Sequence, residues 1–140
     1  MEKEFVTYEI GLELKNLGFN ECCYGCFSHL DNRELRTSRV YTNRVSENIA
    51  APIFSQAFRW FEENYSYFVD IRTDTTPNEI LGFDYTIKSW KFPPMVFDFF
   101  KDKREGNIAV IKKMIEMVKK EKQKEILIDL MNLDNDDKDK

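Results

Sequence analysis

An α+β fold is expected for this chain of 140 residues: helix, hairpin, helix, hairpin, helix, with about four antiparallel strands packed against the helices. Three observations carry that expectation. Ile10, Leu14 and Leu17 recur at helical spacing near the start. Residues 51–65 gather five aromatic side chains into one short amphipathic helix, which needs a sheet to lie on. Residues 67–73 and 80–92, broken by Thr75-Thr76-Pro77-Asn78, then alternate apolar and polar side chains with the period of half-buried strands.

The first helix is delimited at both ends. Thr7 suits the N-cap, and Glu9 suits the positive end of the helix dipole. Gly18 falls where a left-handed residue is wanted after the last turn, and Phe19 can fold back on Leu14 in a Schellman stop. A strand is expected over residues 21–29 and a second over 34–41, joined by Leu30-Asp31-Asn32-Arg33 as turn. Residues 42–50 are polar and read as a loop.

The second helix is expected to open with Pro52 at its first position, where a missing N–H costs nothing. Phe54, Phe58, Phe61 and Tyr65 form its stripe, widened by Ile53, Ala57 and Trp60. Tyr67, Val69 and Ile71 then share one face of a strand. Leu81, Phe83, Tyr85 and Ile87 share one face of the next. Pro93 and Pro94 are expected to end that strand, with residues 95–100 as a short helical turn. A last helix runs from about Asn107 past Lys119 on Ile108, Ile111, Met114, Ile115 and Val118. Lys119 to Lys124 reads as a solvated stretch. Residues 1–124 are thus expected to form a single α+β domain, with an apolar patch and charged tail over 125–140.

Composition narrows the function classes. The net charge of −4 argues against general nucleic-acid binding, which favours a basic surface. The first residues lack the charged and apolar regions of a secretory signal, and no apolar run is long enough to span a bilayer. A cytoplasmic protein, in a host cell if phage-borne, is expected. Three cysteines crowded into residues 22–26 make no disulfide framework and suit a reducing compartment.

No catalytic or cofactor signature stands in the chain, and neither metal nor cofactor is expected. Cys22, Cys23, Cys26 and His29 have the donor types for zinc, but one strand would supply all four and alternation sends Cys22 and Cys23 to opposite faces. Cys23-Tyr-Gly-Cys26 has redox spacing without the helix N-terminus that lowers a thiol pKa. Packing as small hydrophobic side chains is the simpler reading. His29, the lone histidine, sits beside a turn, and no nucleophile-elbow motif accompanies it. Asp70 and Asp84 share a sheet face and read as solvent-facing members of cross-strand pairs with Arg72 and Lys88, rather than as an acid/base pair.

Two clusters remain as candidate binding residues. Arg33, Arg36, Arg39 and Arg44 put four of the seven arginines into 12 residues, with Tyr41 nearby. Such a group would suit a phosphorylated or nucleotide ligand, through bidentate hydrogen bonds and stacking. A solvated face offset by Asp31 and Glu34 is the competing reading. Ile126, Leu127, Leu130, Met131 and Leu133 form an apolar patch suited to a protein interface or homo-oligomer. The competing reading there is a helix folded back on its own core.

Four segments together carry a resemblance: Phe5-Val-Thr-Tyr-Glu-Ile10, Leu14-Lys-Asn-Leu-Gly-Phe19, the Ala51-Pro…Gln56-Ala-Phe-Arg-Trp-Phe-Glu62 helix and Ile111-Lys-Lys-Met-Ile-Glu-Met-Val118. Over most of residues 5–118 the chain resembles small uncharacterised proteins of Bacteroidetes and their phages. The resemblance implies a phage or prophage setting. It implies no activity and brings no site residues. The cysteine cluster and the tail after Lys119 lie outside the shared pattern. The expected function is a small non-enzymatic binding protein of a phage or mobile element, acting on a host or phage protein in host takeover or defence evasion. The alternatives are an arginine-lined sequestering protein for a phosphorylated or nucleotide ligand, and a virion or assembly component that uses the C-terminal helix.

Overall fold

The computed structural model describes residues 2–28, 33–37, 40–43 and 48–138. Its elements run α1 (Tyr8–Asn16), β1 (Gly25–Ser28), β2 (Leu35–Arg36), β3 (Asn48–Ala51), α2 (Phe54–Tyr65), β4 (Phe68–Thr75), β5 (Ile80–Ser89), β6 (Phe92–Val96) and α3 (Lys103–Lys138). The α+β class holds. In place of the expected four strands, the described residues form six, in two three-stranded antiparallel sheets ordered β2-β1-β3 and β4-β5-β6.

Helix α1 begins and ends as its residues dictate. Thr7 Oγ1 accepts from Ile10 N at 3.3 Å. Gly18 takes φ 97°, Gly18 N donates to Lys15 O, and Phe19 N donates to Leu14 O at 2.9 Å. Those two bonds complete a Schellman motif.

The first sheet corrects two expectations. Strands β1 and β2 pair antiparallel but are shorter than predicted, and Tyr41 joins through a bridge to Cys23. The turn over 30–32 lies outside the described residues. Part of the presumed loop is strand β3, which adds a third strand against β1. Asn48 and two alanines have weak strand preference. Helix α1 nonetheless lies directly on this strand, and Gly11 is the small residue that admits the close approach. A Cβ at Gly11 would stand 3.1 Å from Ile49 Cγ2 and 3.3 Å from Ala50 O.

Helix α2 starts two residues later than expected. Pro52 is not its first residue. The Pro52 carbonyl accepts from Val6 N at 3.0 Å and Ile53 bridges Phe5, so pairing with the N-terminal segment holds this stretch extended. Ser66 closes the helix in the left-handed conformation, φ 59°. The aromatic stripe is core: Phe54, Ala57, Trp60 and Phe61 are buried, with Phe58 and Tyr65 packed on them. Successive ring contacts run from Phe19 through Trp60, Tyr65 and Tyr67 to Phe92, at centroid distances of 5.5–5.9 Å.

In the second sheet β4 and β5 pair nearly as the alternation predicts, Val69 opposite Ile87 and Ile71 opposite Tyr85. Pro93 and Pro94 do not end the sheet. They lie within β6, an edge strand, where the register shifts between Ile87 and Ser89. An edge position with a pairing irregularity tolerates missing N–H donors. Residues 95–100 are extended rather than helical: Phe97 N donates to Tyr85 O, and Phe100 exchanges both backbone bonds with Phe83. Helix α1 packs on β3, α2 on β4 and α3 on β5, with α3 also touching α1 and α2.

Candidate functional site

Helix α3 has two halves of different character. Asp102 caps its start, accepting from Arg104 N at 2.8 Å. The Arg104 guanidinium donates to the Lys3 and Phe5 carbonyls at 2.9 Å, tying the N-terminal segment to this helix. Val110, Ile111, Met114, Ile115 and Val118 then face the core. Lys119 pairs with Glu13 at 2.6 Å, and Glu121 with Lys91 at 3.5 Å. Among the described residues, no ion pair joins the helix to the body beyond Glu121. Residues 122–134 are exposed on every side of the helix.

The expected solvated stretch and separate patch are therefore one continuous helix. Lys119 to Lys124 has no helix breaker, and the chain makes no turn that would fold the patch back on the core. Ile126, Leu127, Leu130, Met131 and Leu133 are 54–65% exposed. The structure adds Ile128, 56% exposed, which spacing alone leaves out because it sits off the stripe. Counting 100° per residue, the mean direction of the patch is turned by roughly 150° from the Val110–Val118 stripe. The patch therefore does not extend the core-facing stripe. It looks away from the protein body.

The arginine cluster is only partly brought together. Arg39 and Arg44 lie outside the described residues. Arg33, in left-handed backbone at φ 57°, places its guanidinium 4.4 Å from the centre of the Tyr8 ring. Arg36 is exposed on β2 opposite Cys26. Tyr41 is buried, so its ring is packed rather than presented to a ligand.

Cys22 is exposed, whereas Cys23 and Cys26 are buried. Burial pushes the Cys23 thiol up to about 12, helped by the charge of Glu21. At neutral pH it is a thiol, the weaker form for metal binding and for nucleophilic attack. His29 lies outside the described residues. Among the described residues no group of three or more His, Cys, Asp or Glu side chains is placed to hold a metal ion.

Asp70 pairs with Lys88 at 3.1 Å, and Asp84 stands opposite Arg72 in the ladder, as cross-strand reasoning predicts. Asp84 also has Asp74 as a diagonal neighbour. A hydrogen bond with that carboxyl raises its pKa, against the lowering effect of Arg72. Both side chains are half-buried on the sheet.

Three surface clefts of about 310–330 Å³ lie among the described residues. The cleft at the start of α3 uses Arg104 and Asp102 in the structural bonds already named. The cleft between α1 and α3 is lined by Ile10 and Ile115 and crossed by the Lys119–Glu13 pair. The third lies beside Cys22 and Tyr24, where Arg59 reaches Glu21 at 4.0 Å. No helix among the described residues is long and apolar enough to cross a membrane. The C-terminal half of α3 is thus the surface feature that the chain's own packing leaves least explained. Comparison with protein-family models, curated proteins and solved structures finds no match.

Proposed function

We propose that this chain is a non-enzymatic binding protein whose binding element is the projecting half of α3. One observation carries the reading: six large apolar side chains stand more than half exposed on a stretch of helix beyond its last ion pairs with the body. Keeping such a surface in water forgoes about 25 cal/mol for every Å² of apolar area that burial would remove from solvent. A contiguous exposed apolar patch marks an interaction site. A phage or mobile-element setting, with action on a host protein, fits such a device and rests on the sequence resemblance alone.

Native mass spectrometry of the protein isolated from its natural cell tests this. The full chain is compared with a variant carrying Ile126→Gln, Leu130→Gln and Leu133→Gln. Glutamine keeps helix propensity while removing apolar surface. The wild type should carry a stoichiometric macromolecular partner, its own copy included, that the variant lacks. Identical species in both preparations would refute the reading.

A further inference from the structure

We infer that the cleft where α2, β4 and the start of α3 meet binds a small anion carried on an apolar body, a carboxylate or phosphate attached to a ring or chain. The inference is independent of the binding role proposed for the far half of α3. The cleft holds about 320 Å³. Its leading observation is Asn107, which lines the cleft and is only 8% exposed. Asn107 Oδ1 accepts from the Tyr85 hydroxyl at 2.8 Å. The Lys103 carbonyl beside that hydroxyl already accepts from the backbone of residue 107, as the helix requires, so the single hydroxyl proton serves Oδ1. Asn107 Nδ2 then has no partner among the described residues, and it is not sealed in the core. A nearly buried amide donor left unpaired is unfavourable, and an acceptor in the cleft satisfies it.

Backbone and charge both point to an anion. Phe54 and Ser55, at the start of α2, border the same cleft. Helix α2 has no side-chain cap bond and no acidic residue in its first turn. The N–H groups of residues 54–56 have no acceptor among the described residues. A helix start in that condition favours negative charge. The start of α3 also borders the cleft, but Asp102 already caps it. Arg104 is likewise committed to the Lys3 and Phe5 carbonyls. The charges left at the rim are Lys3 and Lys103 against Glu4, none with an ion-pair partner among the described residues. Phe54, Phe58 and Ile71 supply an apolar wall, so an anion on a ring or chain fits better than a bare ion.

Nuclear magnetic resonance of the ¹⁵N-labelled full chain tests the site. Phenyl phosphate and benzoate are the probes, with inorganic phosphate as the anion alone and benzyl alcohol as the ring alone. At least one aromatic anion should bind with a Kd of about 1 mM or tighter, moving the Asn107 side-chain amide and the Ser55 backbone amide. The tighter of the two separates phosphate from carboxylate. Asn107→Asp keeps an acceptor for Tyr85 and replaces the free donor with a carboxylate oxygen. Ser55→Asp adds an acid that the helix start tolerates, at an exposed position. Each should weaken binding by about tenfold or more. No shift at either amide with both aromatic anions overturns the site. Benzyl alcohol binding as tightly overturns the need for an anion, and inorganic phosphate binding as tightly overturns the role of the apolar wall. Binding unchanged by Ser55→Asp overturns the site even if Asn107→Asp does not fold.

Discussion

The ring of Tyr85 lies on the bare backbone of Gly106, where a Cβ would stand 2.3 Å from Tyr85 Cε2. The same tyrosine places its hydroxyl 2.8 Å from Asn107 Oδ1 and 2.9 Å from the Lys103 carbonyl. Strand β5 and the first turns of α3 are thereby locked in one register. That lock sets the direction in which the rest of the helix projects.

Gly106→Ala is predicted to destabilise the protein. Alanine gains up to about 1 kcal/mol in helix propensity. Forcing a methyl into the Tyr85 ring costs roughly 1–3 kcal/mol. The net effect expected is a loss of about 1 kcal/mol, read from the urea midpoint. Tyr85→Phe removes the hydroxyl from the buried Asn107 and should cost about 1–3 kcal/mol. An unchanged midpoint in both variants would contradict the lock.

Ser66→Gly is predicted to stabilise. Ser66 holds φ 59°, a conformation that disfavours a residue with a Cβ by roughly 1–2 kcal/mol. Part of that gain is offset by the greater chain entropy of glycine when unfolded. A rise of about 0.5 kcal/mol in unfolding free energy is expected, with no change in near-ultraviolet circular dichroism.

Thiol chemistry should divide the cysteines. Cys22 is exposed, while Cys23 and Cys26 are buried. An aromatic disulfide reagent at pH 8 should modify one thiol rapidly and the other two only on unfolding. Rapid reaction of two or three thiols in the folded protein would contradict the packing of β1.

Alkaline pH should weaken the fold. Burial pushes the Cys23 thiol and the Tyr85 hydroxyl up to about 12, from ordinary values of 9.0 and 10.0. Tyr67 is raised as well, by burial first and by Glu121 second. The folded state therefore holds these protons more tightly than the unfolded state does. Their contribution is fully present below pH 9 and is lost as pH rises toward 12. Urea midpoints measured from pH 8 to pH 11.5 should fall steadily over that window. Flat midpoints would contradict the burial of these groups.

Much of this fold was legible from local chemistry. Thr7, Gly18 and Phe19 delimit α1 because caps are local bonds between near neighbours. The alternation through Val69, Ile71, Tyr85 and Ile87 similarly reports the pairing of β4 with β5. Strand β3 was not legible, because Asn48, Ala50 and Ala51 have weak strand preference and Ile49 alone does not make a strand signature. Strand β6 was hidden by Pro93 and Pro94, whose tolerance depends on an edge position that only the assembled sheet defines. For α3, spacing found the apolar residues Ile126, Leu127, Leu130, Met131 and Leu133. It did not give continuity with Val118 or the direction of the patch, since both follow from an unbroken polar helix between them. The arginines stood out in the sequence by density alone, and density does not specify a shared face.

Native mass spectrometry of the full chain from its natural cell, beside its Ile126→Gln, Leu130→Gln and Leu133→Gln variant, decides whether the projecting half of α3 binds. The wild type should carry a stoichiometric macromolecular partner, a second copy included, and the variant should run at its own mass near 16.7 kDa. The same species in both proteins would contradict the binding role.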